Sequence, residues 1–517
     1  MPQITSVQLK VGLEIHVELA TRSKMFAAAP SAAHPDHYDA QPNSLIDPVV
    51  LALPGALPVV NRAAVEMAMM VGLALGCSIA PVTRWDRKSY FYPDLPKNYQ
   101  ISQYRLPLCF DGAVDIPGIG EGGRPDPSLP TRRIGIIRAH LEEDAGKLLH
   151  EAPGGRAIDH SFVDYNRAGT PLLEIVTQPD FTTAEEVVAF AQQLRSTCRF
   201  LGVTEGIMQR GHMRFEPNIN CVLTLDDGRR VVTPIVEVKN LNSFKSLRGA
   251  IEFEFREQPR RWLEDGREHA PGAKSTRGWD DVKGVTFPQR EKEEAHDYRY
   301  FPDPDLLPLS IPDAWRDRVA AALPELPAAR QRRYVESFAL SAKEAAALVE
   351  ERDVCLFFES AYEHAKRLGV TDTRAARQAA NFVLQNGMKR ANERGVLVSE
   401  LGISAEQVAG IIALREEGKV SSTAADELFG LLCDPAHAGA DPAKIAQDRG
   451  MIIVRDEGAI EAWMDEAIAA NAGAAADVRA GKLQAVGRIV GAVMKLSGGA
   501  ADAAAVRKRI LEKLGQG

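Results

Sequence analysis

In the first part of the chain, apolar and polar residues alternate in short segments separated by turns rich in Gly, Pro, Asn and Asp. This period of two predicts half-buried strands over Leu9 to Leu19, Arg132 to Leu141, Asn218 to Leu225 and Arg230 to Lys239. Helical spacing of apolar residues predicts helices over Asn61 to Leu75, Thr183 to Leu201 and Ser243 to Gln258. The last two strands flank an Asp-Gly turn, so they are expected to form a hairpin. Strands interrupted by helices, without a regular βαβ repeat, predict an α+β domain built on antiparallel sheet.

The pattern changes after a Pro-rich hinge at Phe301 to Pro308. Beyond it the apolar residues recur with helical spacing, and the segments are rich in alanine. Helices are predicted over Ser341 to Glu350, Thr373 to Glu393 and Ala405 to Glu416. A break near Asp434 to Asp441 separates a last compact piece. The expected organisation is therefore an antiparallel-sheet domain over 1–309, an all-α helical domain over 310–445 and a small α-helical tail over 446–517.

Composition narrows the class of protein. A chain of 517 residues can hold two or three domains with sizeable cores. The net charge of -8 argues against a uniformly basic nucleic-acid binder, although one domain can still carry a basic patch. The six cysteines are spread singly, which suits free thiols in a reducing cytoplasm. The start lacks a signal pattern and the uncharged stretch from Met67 to Val82 is short for a membrane span. We expect a cytoplasmic protein without a membrane partner.

An acidic run, His140 to Lys147, contains three adjacent carboxylates between a histidine and a lysine at the end of a predicted strand. Such a run is either a solvated acidic turn or part of a site for a divalent cation. A second segment favours the cation, because alternation places Glu14, His16 and Glu18 on one strand face. A face of this kind is a poor core surface and a good ligand surface.

Further polar residues interrupt other predicted strands. Glu174 is a lone acid in an apolar run, which is costly to bury unless it is paired or bound to a metal. Glu216, Asn218 and Asn220 share one strand face, and Glu237 lies near the end of another strand. Several strands bearing Glu, His or Asn in one domain predict a shared, oxygen-rich Mg²⁺ site.

The loop from Tyr90 to Gln103 interleaves aromatic residues with a lysine and amides. It is either a stacking surface for a nucleotide or terminal base, or a loop stiffened by prolines with its tyrosines on the surface. The chain has no GxxxxGK[ST] motif, so any ATP is bound without a P-loop.

Taken in order, long segments of the chain resemble the B subunit family of the tRNA-dependent aspartyl/glutamyl-tRNA(Asn/Gln) amidotransferases. The matching segments are Gly12–Leu19, Leu53–Asn61, Tyr90–Gln103, His140–Lys147, Val163–Val176, Lys239–Phe244, Glu293–Pro302 and Gly487–Lys495. The resemblance covers nearly the whole chain. It implies an N-terminal cradle domain, a helical domain and a YqeY-like tail.

The resemblance also implies the chemistry, that of a carbon-nitrogen ligase with glutamine as amido donor. ATP phosphorylates the side-chain carboxylate of Glu or Asp mischarged on tRNA, and ammonia then displaces phosphate to give Gln-tRNA or Asn-tRNA. An amidase-type A subunit supplies ammonia through a tunnel, and a small C subunit completes a heterotrimer. The absence of a GxSxG elbow or an amidase-type Gly/Ser run agrees with that division of labour.

Site residues follow from the resemblance position by position. The implied Mg²⁺ ligands are Glu14, His16, Glu142, Glu143, Glu174, Glu216, Asn218 and Glu237. Catalysis is expected from Glu142, Glu143, Lys147 and Arg214, and contact with substrate or nucleotide from Tyr90, Tyr92, Lys97, Tyr99, Lys239 and Asn240. Arg488 and Lys495 either meet tRNA phosphates or are ordinary surface cations.

Two departures from the family pattern affect these expectations. Where the family reads Met-Glu-Glu-Gly-Ser-Leu-Arg-Cys-Asp-Ala-Asn, this chain has Met208–Asn218, so Glu216 replaces an aspartate and reaches ~1.5 Å further. Many members also carry zinc-binding cysteine pairs near the start, which Ile46–Pro54 lacks, so no zinc is expected. The altered strand raises the alternative of a catalytically weakened tRNA-binding or scaffolding relative. A free-standing Mg²⁺-dependent hydrolase explains neither the helical tail nor the aromatic loop.

Overall fold

The computed structural model describes residues 3–120, 123, 126, 129–152, 156–289, 298–453, 457–497 and 501–515. The chain forms two compact units, residues 1–327 and residues 328–517. The strands of the first unit are β1 Ile4–Glu18, β2 Ser78–Ile79, β3 Val82–Thr83, β4 Asp86–Ser89, β5 Tyr99–Ser102, β6 Cys109–Ile116, β7 Arg132–Glu143, β8 Lys147–Ala152, β9 Arg156–Asp164, β10 Pro171–Thr177, β11 Met213–Leu225, β12 Arg230–Val232, β13 Val236–Lys239, β14 Ser275–Asp280, β15 Val285–Pro288, β16 Phe301–Pro302 and β17 Leu309–Ser310. Its helices are α1 Arg62–Ala74, α2 Ala184–Phe200, α3 Phe244–Asp265 and α4 Asp313–Ala321.

A large sheet dominates the first unit. Its order over the described residues is β15-β14-β13-β11-β1-β10-β7-β5-β4-β16, with β12 beside β11 and with β6 joining β2 to β7. The strand pairs are antiparallel except β13 with β14, which is parallel. The two short pairs β8–β9 and β3–β17 lie outside this sheet. The predicted α+β class with a large N-terminal sheet is confirmed.

The two faces of the sheet differ in chemistry, and β1 shows why. Its odd-numbered residues from Leu9 to Val17 are buried in the hydrophobic core. Its even-numbered residues, Gly12, Glu14, His16 and Glu18, lie on the opposite face because consecutive strand residues alternate. The core face is covered by helices that begin where the sequence predicts, at the side-chain caps Asn61, Thr183 and Ser243. The polar face of the central strands is thereby left for a site.

Two elements of the structure differ in their bounds from the predicted ones. The hairpin partner of β11 is split into β12 and β13 by the segment 233–235. Helix α3 continues past Pro259 to Asp265, because Gln258 and Trp262 are buried and Gln258 Nε2 donates to Ile219 O at 3.0 Å.

The predicted hinge at Phe301 to Pro308 contacts the first unit through a strand pair and an ion pair. Strand β16 pairs with β4, and Arg87 Nε donates to Asp303 Oδ2 at 2.9 Å. Leu309 and Ser310 pair with β3, so residues beyond the predicted boundary at 309 still pack on the first unit.

In its described residues, the second unit consists of helices joined by loops. Its helices are α5 Pro327–Glu336, α6 Ala342–Leu348, α7 Arg352–Arg367, α8 Asp372–Asn381, α9 Met388–Arg394, α10 Ala405–Glu416, α11 Ser422–Leu432, α12 Pro442–Asp448, α13 Glu457–Ala470, α14 Ala472–Arg479, α15 Val486–Leu496 and α16 Ala503–Lys513. A π turn at Phe382–Gly387 joins α8 to α9, where one continuous helix is predicted. Residues of α13 to α16 share a core cluster of their own. The boundaries at 309 and 445 stay predictions. No described helix combines the length and apolarity that crossing a membrane requires.

Candidate active site

The polar face of the central strands gathers most of the predicted ligands. The antiparallel register places His140, Glu174, His16 and Arg214 side by side on β7, β10, β1 and β11. Two residues before His16 on β1, and on the same face, Glu14 lies opposite Glu216. Cross-strand partners point to the same face and lie about 5 Å apart, so these side chains meet above the sheet. Four strands from distant parts of the chain thus deliver one cluster.

His16 is at the centre of this cluster. Its Nε2 atom lies 3.6 Å from Glu174 Oε2, 3.8 Å from Glu14 Oε1 and 3.9 Å from Glu142 Oε1. Its Nδ1 atom lies 4.0 Å from Glu216 Oε1. Two ligand groups share His16 among the described residues: Glu14, His16 and Glu216, and His16, Glu142 and Glu174, each with its atoms within 4.8 Å of one another. We call these five residues the carboxylate cluster.

The cluster fits a divalent cation by a second criterion. His16 Nδ1 and Glu142 Oε2 are buried and have no hydrogen-bond partner among the described residues, and the same holds for His140 Nδ1 beside the cluster. Buried polar atoms are normally satisfied, so unpaired ones facing carboxylates point to a missing partner. Carboxylate oxygens with one imidazole are a donor set that divalent cations accept.

The charges of the cluster perturb its own titration. Burial, reinforced by the charge of Glu174, raises the pKa of Glu142 to about 7. Burial opposes protonation of His16, but the hydrogen bond and charge of Glu174 outweigh it and raise the pKa of His16 to about 9. Burial also acts on Glu174, yet the adjacent His140 and His16 hold the pKa of that carboxyl well below its usual range. Such opposed shifts among touching groups are typical of functional sites.

Two basic side chains, on β11 and β13, lie beside the cluster. Arg214 donates to Asp144 Oδ2 at 2.8 Å, and its Nε atom is buried without a hydrogen-bond partner among the described residues. Lys239 Nζ lies 2.7 Å from Glu216 Oε2 and 3.6 Å from Glu237 Oε1. Of the predicted cations, Arg214 and Lys239 are therefore brought to the site.

Two residues at the site were not among the implied ligands or catalytic residues. Lys88 on β4 is a largely buried ammonium that interacts electrostatically with Glu142 and Glu174, which outweigh burial and raise the pKa of Lys88. Glu18 is buried, and burial together with the charge of Asp144 raises the pKa of Glu18 to about 8. Alternation along β1 already places Glu18 on the ligand face. Lys88 carried no such signal, since its four-residue strand has no clear apolar period.

The structure does not bring Glu143 and Lys147 to the cluster. Glu143 follows Glu142 on β7 and so faces the opposite side, where Lys97 Nζ and the Ile101 amide at 3.0 Å donate to its Oε1. Lys147 is exposed at the start of β8, because the chain leaves the large sheet at Gly146. The lysine that interacts with the carboxylates of the cluster is Lys88, whereas the sequence analysis expected Lys147 there.

The remaining predicted ligands lie beside the cluster. Asn218 pairs in register with Glu237, on the same face as Glu216. Glu237 is occupied by protein partners, since Thr276 Oγ1 donates to its Oε2 at 3.1 Å and Lys274 Nζ lies 3.4 Å away. These two residues are therefore adjacent to the ligand groups rather than inside them.

The predicted nucleotide contacts divide into two groups at opposite sides of the cluster. Near β4, the ring of Tyr90 packs edge-on against that of Tyr298, with 6.3 Å between the ring centroids. Arg87 Cζ lies 4.2 Å from the centroid of the Tyr99 ring. Lys97 forms an ion pair with Glu143, and Tyr92 is exposed. Lys239 and Asn240 lie at the end of β13, and Asn240 is exposed with a positive φ of 64° in the turn before α3. Tyr298 and Tyr300 continue the aromatic surface, while residues 293–297 of the same family segment lie outside the described residues.

In the second unit, Arg488 and Lys495 are both exposed on α15. They lie seven residues apart, which is two helical turns, so they share one face of that helix. Their contact with tRNA stays a prediction.

Comparison with known proteins extends this picture. The family described as GatB/GatE catalytic domain matches residues 9–317, which include all of the large sheet except the first five residues of β1. The family described as GatB domain matches residues 360–514.

Curated relatives align along their full length and share one name, that of the B subunit of aspartyl/glutamyl-tRNA(Asn/Gln) amidotransferase. The protein of Thermomicrobium roseum is 42% identical over 506 residues, covering 98% of both chains. The protein of Burkholderia ambifaria is 41% identical over 517 residues, covering 99% of this chain and 100% of the relative. The protein of Synechococcus elongatus is 41% identical over 502 residues, covering 97% of this chain and 96% of the relative. With the carboxylate cluster in place, these matches show that the chain belongs to the B subunit family of the tRNA-dependent aspartyl/glutamyl-tRNA(Asn/Gln) amidotransferases.

Proposed function

We propose that this chain activates the side-chain carboxylate of Glu or Asp mischarged on tRNA. ATP phosphorylates that carboxylate, and ammonia displaces the phosphate to give the amide. This is the reaction of a carbon-nitrogen ligase whose ammonia derives from glutamine. The observation that carries the proposal is the carboxylate cluster, where four Glu side chains surround His16 within 4.0 Å.

Mg²⁺ is the cation that this chemistry calls for, held by Glu14, His16, Glu142, Glu174 and Glu216. When bound, it supplies positive charge to the phosphate oxygens and neutralises the crowded carboxylates. The unpaired Nδ1 of His16 and Oε2 of Glu142, both defined within the described residues, support this assignment. We propose no zinc for this chain.

The chain's own cations have separate tasks in the proposed reaction. Arg214 is oriented by Asp144 and keeps its Nε donor for a phosphate oxygen. Lys239 holds Glu216 in position. Lys88 balances Glu142 and Glu174 from the other side and excludes water with the tyrosines around it.

Glu216, which stands where the family has the shorter aspartate, keeps its contacts in the cluster, and this favours an active enzyme over a scaffolding relative. Its carboxylate still reaches His16 Nδ1 at 4.0 Å while its other oxygen accepts from Lys239. The alternative of a catalytically weakened relative rested on this position.

The proposed working form is a cytoplasmic heterotrimer. An amidase-type A subunit supplies ammonia, a small C subunit joins the pair, and mischarged tRNA is the substrate. The relatives are named as one lettered subunit of an amidotransferase, which supports partners in a complex. The three domains, 1–309, 310–445 and 446–517, are proposed as a catalytic cradle, a helical domain and a YqeY-like tail that meets tRNA through Arg488 and Lys495.

The test is conversion of Glu-tRNA and Asp-tRNA by the reconstituted complex with ATP and glutamine. Glu142→Gln keeps the size of a buried cluster residue, and we expect it to lower conversion at least ~100-fold. Glu252→Gln, on the exposed side of α3, is the matched control and is expected to retain full activity. Mn²⁺ binding followed by electron paramagnetic resonance gives a readout independent of turnover, and Glu142→Gln should weaken it. Full activity of Glu142→Gln would refute the assignment of the carboxylate cluster as the Mg²⁺ site. No conversion of either substrate by the wild-type complex would favour the alternative of a scaffolding relative.

A further inference from the structure

Glu18 is a buried carboxylate that lies beside the carboxylate cluster and has no task in the proposed reaction. Only 5% of its surface is exposed. It follows His16 by two residues on β1 and therefore lies on the same face, about 7 Å further along at ~3.4 Å per residue. Its backbone N–H donates to His212 O at 2.9 Å, just before the start of β11. Glu18 thus extends the polar face by one row beyond His16 and Arg214.

The two guanidinium groups near Glu18 are paired with a different carboxylate. Arg214 NH2 lies 2.8 Å and Arg167 Nε 3.7 Å from Asp144 Oδ2. Glu18 interacts electrostatically with all three of these residues, but it forms no ion pair with any residue that the structure describes. A buried carboxylate without a cation is costly, so Glu18 lacks a counter-charge.

The hydroxyl of Tyr38 is a second polar group without a partner on this side of the cluster. It is buried and has no hydrogen-bond partner within the described part of the chain, and Glu18 is one of the charges that act on it. The Tyr38 ring is fixed between two side chains, since its centroid lies 5.0 Å from that of His212 and 4.9 Å from Arg210 Cζ. The hydroxyl is therefore held in one place.

Space is open next to the carboxylate of Glu18. A Cβ built at Gly211, whose φ of 84° is in the left-handed region, meets Glu18 Oε1 at 3.9 Å and no other atom within 4 Å outside the neighbouring residues. A small group can therefore approach this oxygen from the side of the turn before β11.

A carboxylate and a hydroxyl that both lack partners match a cation that donates hydrogen bonds. A primary ammonium group has three N–H donors and one positive charge. The proposed substrate carries one, the α-ammonium of the amino acid esterified to tRNA. In Asp or Glu this nitrogen lies about 4 to 5 Å from the side-chain carboxylate. With that carboxylate at the cluster, the nitrogen is within hydrogen-bonding reach of the row of Glu18.

We propose that Glu18 and the hydroxyl of Tyr38 bind the α-ammonium group of the aminoacyl-tRNA while its side-chain carboxylate lies at the carboxylate cluster. The inference rests on the proposed function, which brings that carboxylate to the cluster. Glu18 thereby takes part in substrate choice. An amino acid with a free amino group supplies the missing cation, whereas an N-acylated amino acid has lost the charge and leaves Glu18 buried without a counter-charge.

The test compares Glu-tRNA and Asp-tRNA with their N-acetylated forms as substrates of the reconstituted complex, with ATP and glutamine. Wild type should convert the free-amino form with a kcat/KM at least ~100-fold above that of the acetylated form. Glu18→Gln keeps the size of the side chain and removes its charge. It should lower kcat/KM for the free-amino form at least ~10-fold and leave that for the acetylated form unchanged. Tyr38→Phe keeps the ring beside His212 and should reduce the same preference by a smaller factor.

Two controls separate substrate binding from support of the metal site. Mn²⁺ binding followed by electron paramagnetic resonance should be the same in Glu18→Gln as in wild type, because Glu18 is outside the two ligand groups of the described residues. Glu252→Gln, on the exposed side of α3, should keep the wild-type preference for the free amino group. The preference of wild type itself needs no variant to fold.

Equal conversion of both forms by wild type, or an equal loss on both forms in Glu18→Gln, overturns the proposal. Weakened Mn²⁺ binding in Glu18→Gln makes Glu18 a metal ligand and also overturns it. A raised KM for ammonium chloride as nitrogen donor, with an unchanged preference for the free amino group, assigns Glu18 to free ammonium instead. A wild-type complex that converts neither Glu-tRNA nor Asp-tRNA refutes the proposed function itself, and this inference with it.

Discussion

Lys24 is a fully buried lysine whose ammonium is held by backbone carbonyls. Its Nζ donates to the carbonyl oxygens of Tyr165 at 3.3 Å, Asn166 at 2.7 Å and Ala168. Burial is the largest influence on it and outweighs the attraction of Asp47 and other nearby acids, lowering the pKa of Lys24 from 10.5 to about 8. The folded chain therefore releases this proton well before the unfolded chain does.

The sign and size of the effect follow from proton linkage. Between pH 8 and pH 10.5 the unfolded chain holds more protons at Lys24, so the free energy of unfolding rises with pH. At about 1.4 kcal/mol for each pH unit, the full rise is about 3 kcal/mol. Below pH 8 both states are protonated and Lys24 contributes no pH dependence. Lys24→Met keeps the length of the side chain and removes the titrating group.

Urea unfolding of wild type and Lys24→Met at several pH values between 7 and 10.5 checks this. Tryptophan fluorescence reports mainly on the first unit, which contains four of the five tryptophans, Trp85 buried among them. Wild type should gain about 3 kcal/mol relative to the variant across this range. Lys245→Met, an exposed lysine at the start of α3, should follow wild type. An equal pH dependence in wild type and Lys24→Met would refute the reasoning.

Three further substitutions have defined outcomes. Thr183→Ala removes the side-chain cap of α2 and should lower the free energy of unfolding by about 1 kcal/mol in thermal denaturation. Gly72→Ala places a Cβ well inside contact distance of Cys109 Sγ, so we expect a loss of about 1 to 3 kcal/mol in urea unfolding. Glu216→Gln removes the charge of a carboxylate that lies 2.7 Å from Lys239, which should raise the Mg²⁺ concentration for half-maximal conversion; an unchanged Mg²⁺ requirement would exclude Glu216 as a ligand.

Alternation along single strands was enough to predict much of the site. The periods of β1 and β7 place Glu14, His16 and Glu142 on polar faces, because the face of a strand residue depends only on its position in the strand. Which strands become neighbours is a property of the whole sheet. The family resemblance implied that His16 and Glu174 share one site, but the register that places His16 opposite Glu174 and Arg214 is known only from the structure.

The parts that could not be predicted depend on the ends of strands and on very short ones. Glu143 and Lys147 were expected at the site from the family resemblance, but β7 ends at Glu143 and the chain then turns away. Lys88 stands on a strand of four residues, too short for a period to define its face. Helix ends were more accessible, since Asn61 and Thr183 cap them through local hydrogen bonds.

The central place of β1 has a consequence for how the protein is made. Its neighbours β10 and β11 end at Thr177 and Leu225, so about 200 residues must be synthesised after Glu18 before both edges of β1 are paired. At the ~5 to 20 residues per second of translation, this takes about 10 to 40 s. Until β11 is complete, this strand of 15 residues with one apolar face lacks at least one of its two native neighbours. Synthesis of this chain therefore includes an interval in which an unpaired edge of β1 is exposed to aggregation.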